Sequence, residues 1–199
     1  MAKTDTTMIA STTVLANETT MANFSTGTQL NLVRATQCVL KLTATFSATT
    51  DDGLIIYLYP SADNVTYDDK YWYRWTIPHC IQVGYDAGQT EFCIGETITA
   101  TSGGTGTVIG WTVTGGSWTG NDAAGVLYLE SPSGTLANND TLTGGISGLA
   151  TQDGSAAAHT IQRHSTPISS APLYMKAMIA NNGSQSATSV SLTGTVWSL

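Results

Sequence analysis

The chain has 199 residues, of which 11% are charged and 41% hydrophobic, and its 14 acidic against 7 basic side chains give a net charge of -7. That length holds one domain, or one domain carrying a smaller insertion. Such an acidic balance lacks the footprint of a nucleic-acid binder and is repelled by an anionic membrane surface. No window reaches the roughly eighteen apolar residues of a membrane span.

The start, Met1-Ala2-Lys3-Thr4-Asp5, carries no apolar run behind its positive charge, so no secretory signal is expected and synthesis in a cytoplasm is the default. Residues 1–22 are polar, Thr-rich and nearly aperiodic, and read as an extended N-terminal arm. The arm either is held by a neighbouring surface or subunit, or lies along its own domain.

From Gln29 the chain reads as strand, with Leu30 and Leu32 facing one way. Cys38, Leu40, Leu42, Ala44 and Phe46 alternate with Val39, Lys41, Thr43 and Thr45, a period of two that sends one face to a core. Asp51-Asp52-Gly53 marks a turn, and Leu54 to Tyr59 reads as a central strand. Pro60 to Asn64 breaks it, Val65-Thr66-Tyr67 is expected to resume it, and the aromatic strand Tyr71 to Ile77 follows, stopped by Pro78. In that strand Trp72 and Arg74 share one face, a candidate interface, while Tyr71, Tyr73 and Trp75 share the other, the expected core face.

From about Gln89 to about Ala158 the composition turns Gly- and Thr-rich, with an internal repeat at an offset of about 44 residues. Gly95 to Ala100 aligns with Asn139 to Gly144, and Gly104 to Thr107 with Gly148 to Thr151. Two copies suit a small closed barrel with pseudo-twofold symmetry. Trp111 and Trp118 lie in this segment, where few large neighbours are available to bury them, so both are expected at a contact surface. The last part returns to alternation, Leu173 to Ile179 and Val190 to Val196, around an Asn181-Asn182-Gly183 turn.

The expected fold is therefore all-β: a jelly-roll-like antiparallel β-sandwich with a small inserted Gly/Thr-rich β-barrel and an extended N-terminal arm. The boundaries read 1–22 arm, 23–88 first part of the sandwich, 89–159 inserted domain and 160–199 second part of the sandwich.

Catalysis finds little footing. No Gly-x-Ser-x-Gly surrounds any serine, and the 3 histidines, His79, His159 and His164, show no zinc-type spacing. The carboxylates Asp51, Asp52, Asp63, Asp68 and Asp69 sit at turns and fit no EF-hand loop. The Gly-rich Ser102 to Gly106 lacks the Lys-Ser/Thr pair and the helix of a phosphate loop. No catalytic, cofactor or metal residue is assigned. Cys38, Cys80 and Cys93 read as buried thiols, with a Cys80–Cys93 bridge as the alternative.

The inserted segment, with Gly-Glu-Thr-Ile-Thr, Ser-Gly-Gly-Thr-Gly-Thr-Val-Ile-Gly, Gly-Val-Leu-Tyr-Leu-Glu-Ser-Pro-Ser-Gly-Thr-Leu and Asn-Asp-Thr-Leu-Thr-Gly, resembles a β-rich module of tailed-bacteriophage virion structural proteins. The flanking pieces Leu58 to Asp68 and Val190 to Trp197 are similar to the jelly-roll sandwich of phage head-decoration, head-fibre and tail proteins. The resemblance spans most of residues 30–199. It implies a non-enzymatic part of the virion, made in the host bacterial cytoplasm. The reading it favours is a capsid decoration (cement) protein that binds the major capsid protein or other virion proteins, with a homotrimer suited to a local threefold position. The alternatives are a tail, neck or baseplate part, and a carbohydrate- or receptor-binding module. Expected partner contacts are Thr4, Thr6, Thr7, Met8 and Ile9 of the arm, Trp72 and Arg74, and Trp111 and Trp118; neither nucleic acid nor membrane is expected as a partner.

Overall fold

The computed structural model describes residues 2–16, 28–49, 51–169 and 171–198. These are built almost entirely of strands: β1 (Ala2–Val14), β2 (Leu30–Asn31), β3 (Ala35–Phe46), β4 (Leu54–Ser61), β5 (Tyr73–Ile77), β6 (Cys80–Thr90), β7 (Thr97–Ala100), β8 (Thr105–Gly115), β9 (Ala123–Ser133), β10 (Thr141–Gly144), β11 (Leu149–Gln152), β12 (Ala157–His164), β13 (Tyr174–Asn181) and β14 (Ala187–Ser198). The described helical structure is a single 3-10 turn at Trp118–Gly120. The chain divides into two compact units. One is Met1–Thr45, Gly53–Ile77 and Thr160–Leu199; the other is Phe46–Asp52 and Pro78–His159.

The first unit is an eight-stranded sandwich. One sheet has the order β1-β14-β3-β12 and the other β2-β13-β4-β5. Following the chain, successive strands cross from sheet to sheet, with the exception of the β4–β5 hairpin. That order is the double Greek key of a jelly roll. The expected alternation supplies its core: Cys38, Leu40, Leu42 and Ala44 of β3 and Val190, Leu192 and Val196 of β14 are buried, with polar residues between them. Gly194 lets the sheets meet closely, since a Cβ there would stand 2.6 Å from the Leu30 side chain.

The N-terminal segment lies along its own domain. β1 pairs antiparallel with β14 from Ala2↔Ser198 to Val14↔Ala187. A regular strand sends neighbours to opposite faces, but the register shifts between Thr7 and Ile9, a bulge that turns Met8 and Ile9 inward together. Residues 17–22 of the expected arm lie outside the described residues.

One expected strand is absent. Val65-Thr66-Tyr67 forms a loop, because the Asp63 carboxylate accepts the backbone N–H groups of Val65 and Thr66 at 2.8 and 2.9 Å. These bonds give the local backbone a partner other than a strand. They also hold the Asp63 carboxyl below the usual carboxylate range.

The second unit is a closed barrel of six antiparallel strands, in the cyclic order β6-β11-β10-β7-β8-β9, with β9 returning to β6. β6 is one of its staves, so the barrel takes in Cys80 to Gly88, which the sequence pattern places in the sandwich. The internal repeat is explicit in the register. Thr97↔Thr107, Ile98↔Gly106 and Thr99↔Thr105 of β7–β8 reappear as Thr141↔Thr151, Leu142↔Ala150 and Thr143↔Leu149 of β10–β11. Two equivalent residues face each other twice, Thr99 with Thr143 and Val83 with Leu127. A pseudo-twofold axis through these pairs relates β6-β7-β8 to β9-β10-β11 and exchanges the two ends of the barrel. The interior is filled by Val83, Tyr85, Phe92, Ile98, Val108, Leu127, Leu129 and Leu142, all at most 1% exposed.

Candidate functional site

The barrel holds two buried carboxylates, each fastened by several hydrogen bonds. Glu96 precedes β7 and is 2% exposed; its repeat equivalent, Asp140, precedes β10 and is 8% exposed. An ionised carboxylate taken out of water needs partners. The Glu96 carboxylate accepts the backbone N–H of Cys93 at 2.7 Å in its own loop, and those of Ile146 and Ser147 at 2.9 and 3.1 Å in the β10–β11 loop of the other repeat. Asp140 does the same in mirror fashion. It accepts the N–H of Ala137 at 2.8 Å in its own loop, and the N–H of Ser102 at 3.1 Å together with the Ser102 hydroxyl in the β7–β8 loop. Each repeat thus clamps a loop of the other, one carboxylate at each barrel end.

Burial pushes the Glu96 carboxyl upward, but the backbone donors, Cys93, Ile146 and Ser147 among them, outweigh it and hold the group below its ordinary value. The Ser102 hydroxyl and the Ala137 N–H lower Asp140 likewise. Hydrogen bonds to the charged form favour it, so both acids act as ionised fasteners of the loops around them. The aligned repeats already show this pair, since Glu96 and Asp140 occupy the same position between Gly95/Asn139 and Thr97/Thr141.

At the Glu96 end, Cys93 Sγ lies 3.3 Å from the Ser147 hydroxyl, which donates to the Glu91 carbonyl at 2.8 Å. Together with the Glu96 carboxylate, these contacts join the loops at residues 91–96 and 145–148. Gly148 permits the joint: a Cβ there would stand 1.9 Å from the Phe92 ring.

The expected contact residues fall in three places. Thr4 and Thr7 are exposed on β1 and Thr6 is half-buried, whereas Met8 and Ile9 are 1% and 4% exposed and belong to the core. The bulge removes these two from the outward face. Trp72 is 52% exposed, just before β5, and Arg74 is exposed on β5. On the opposite face Tyr71 is 42% exposed, and Tyr73 and Trp75 are half-buried, so that face is less enclosed than the aromatic pattern implied.

Trp111 and Trp118, expected at a contact surface, are partly buried and pack against the barrel core. Trp118 stacks on Tyr85 with ring centroids 5.3 Å apart and meets Phe92 edge-on at 5.9 Å. Composition hides these partners, because Tyr85 precedes the Gly/Thr-rich stretch and Phe92 stands at its very start. The Trp118 Nε1–H is buried with no hydrogen-bond partner.

Among the described residues no group of three or more His, Cys, Asp or Glu side chains is arranged to hold a metal ion. His79 is 2% exposed, its ring against Phe46 and its Nε2 3.1 Å from the Ser47 carbonyl; burial lowers its pKa. Cys38 and Cys80 are buried, Cys93 is half-buried, and no disulfide joins Cys80 to Cys93. No helix among the described residues is long and apolar enough to cross a membrane.

No protein-family model matches the chain, and no curated protein and no solved structure matches it.

Proposed function

We propose that the chain is a non-enzymatic structural protein of a tailed-phage virion, a capsid decoration protein that seats on the head lattice through its sandwich and β1. The observation that carries this reading is the outer edge of β1. Over 13 residues this strand ends its sheet, and among the described residues its one strand partner is β14. A long open edge is a template for a further strand, and a soluble monomer blunts it. Farther along the strand the Thr28 N–H donates to the Met8 carbonyl at 3.2 Å, but over residues 2–7 the blunting is slight: Lys3 and Asp5 pair with each other at 3.2 Å, and Thr4 and Thr7 stand exposed beside them. A lattice neighbour that adds a strand to this edge removes the hazard and gains affinity from main-chain bonds.

The test is co-sedimentation of the purified protein with empty capsid shells, read against its solution mass. Saturable binding, lost when Thr4 and Thr6 are both replaced by proline, supports the proposal. Absence of binding to shells or capsid protein at any salt concentration refutes it. A second reading rests on Trp72, which is 52% exposed: an exposed indole ring stacks on sugar rings. Glycan binding abolished by Trp72→Ala, without shell binding, would favour that module.

A further inference from the structure

The charge of this chain is segregated. Pro78–His159 contains seven carboxylates and neither lysine nor arginine. Asp86, Glu91, Asp122 and Asp153 are exposed, Glu130 is half-buried, and Glu96 and Asp140 are the buried clamps. Outside this stretch seven carboxylates meet seven cations, so the whole net charge of -7 belongs to the barrel.

The barrel also has one apolar end. Ile94, in the β6–β7 loop, and Ile146, in the β10–β11 loop, are each 72% exposed. Large aliphatic side chains so exposed, on loops tied together by Glu96, form a fixed pair rather than scattered surface residues. The pseudo-twofold supplies an internal control. The equivalents of Ile94 and Ile146 at the other end are Asn138 and Ser102, on loops clamped by the equivalent carboxylate with the Ser102 hydroxyl as an added donor, so the fold does not require isoleucine at these positions. The apolar end is also the one remote from the chain's entry at Cys80 and its exit at Ala157, which lie at the opposite end of the staves. Glu91 and Asp122 stand exposed in the loops of the apolar end.

We propose that this end is a docking tip for a protein surface offering an apolar socket ringed by lysine or arginine. Two preordered isoleucines supply the anchor, and the surrounding carboxylates supply steering and register. Charge complementarity selects this occupant. A second barrel would bring carboxylates against carboxylates, and the remainder of the chain carries no net positive charge to offer. The inference does not depend on the virion reading and holds for any assembly that uses the barrel.

The probe is a short fluorescent peptide of alternating leucine and lysine, titrated into the full chain and followed by anisotropy. A leucine/glutamate peptide and a serine/lysine peptide serve as controls. The Ile94→Asn/Ile146→Ser variant, which takes the residues of the opposite end, is expected to keep the wild-type melting temperature and to bind at least roughly tenfold more weakly. Glu91→Gln/Asp122→Asn should also weaken binding and flatten its salt dependence. Equal binding by the isoleucine variant, or equal binding of the leucine/glutamate peptide, overturns the proposal. A solution dimer that Ile94→Asn/Ile146→Ser dissolves also overturns it, because the occupant would then be a second copy.

Discussion

Replacing Glu96 tests whether the buried carboxylate holds the barrel closed. The side chain accepts three backbone N–H groups, one from its own loop and two from the loop of the other repeat. Glu96→Ala leaves all three without an acceptor. A donor so abandoned costs up to about 1–3 kcal/mol where water does not replace the acceptor. Water reaches part of the opened space, so a total loss of about 3–5 kcal/mol is expected, a large share of the roughly 5–15 kcal/mol that holds a domain together. Glu96→Gln keeps the shape and one acceptor oxygen, but turns an NH2 group toward an N–H. The loss there should be about 1.5–3 kcal/mol, the range for one hydrogen bond to a charged group. With a urea slope of about 1–3 kcal/mol per molar, the glutamine variant lowers the barrel's unfolding midpoint by roughly 1 M. Urea titration by circular dichroism measures this, and amide exchange of residues 91–96 and 145–148 locates it. If both variants unfold within about 0.5 kcal/mol of wild type, the size of a neutral surface change, the clamp reading is wrong.

Other outcomes follow from the same geometry. Because the folded pKa values of Glu96 and Asp140 are depressed, their stabilisation is complete above the unfolded carboxylate values, near pH 4, and is lost as pH falls through the folded ones. Thermal melts from pH 6 to 2 should show a steep acid loss that is shallower in Glu96→Gln. Gly148→Ala drives a Cβ into the Phe92 ring and should cost about 1–3 kcal/mol by denaturant titration, whereas Gly115→Ala, with nothing within 4 Å, should be near neutral. In a thiol titration of the native protein, half-buried Cys93 should react first. Cys38, buried and with its pKa pushed up to about 12 by that burial, should react only on unfolding, and an equal rate for both would contradict the packing.

The sequence was most legible where one face of a strand is buried and the other is wet. β3 and β14 announce themselves by alternation, and their buried residues are the ones the period selects. The repeat was legible too, because Gly and Thr recur at fixed positions in the tight β7–β8 and β10–β11 hairpins. Its third strand was not. Ile81, Val83 and Tyr85 of β6 correspond to Gly125, Leu127 and Leu129 of β9, and only the backbone pairing shows that they are equivalent. Side-chain capping hid the loop at Val65 to Tyr67, since three β-formers in a row promise a strand unless the acceptor on Asp63 is counted. The bulge in β1 was equally invisible, for a shift of register leaves no mark on composition. The packing of Trp118 was not legible because it depends on partners distant in the chain, Tyr85 and Phe92.

The way the chain enters and leaves the barrel has a consequence for its engineering. Ile81, at the start of β6, is paired with Ala158, near the start of β12. The two ends of an inserted segment about eighty residues long are therefore neighbours, and the gap that its excision would leave is a few ångströms wide. Closing so small a gap with a short linker carries little chain-entropy cost. The inserted segment is accordingly the natural place to exchange one module for another whose own termini lie side by side, with Phe46–Asp52 as the stretch of the same unit that would remain.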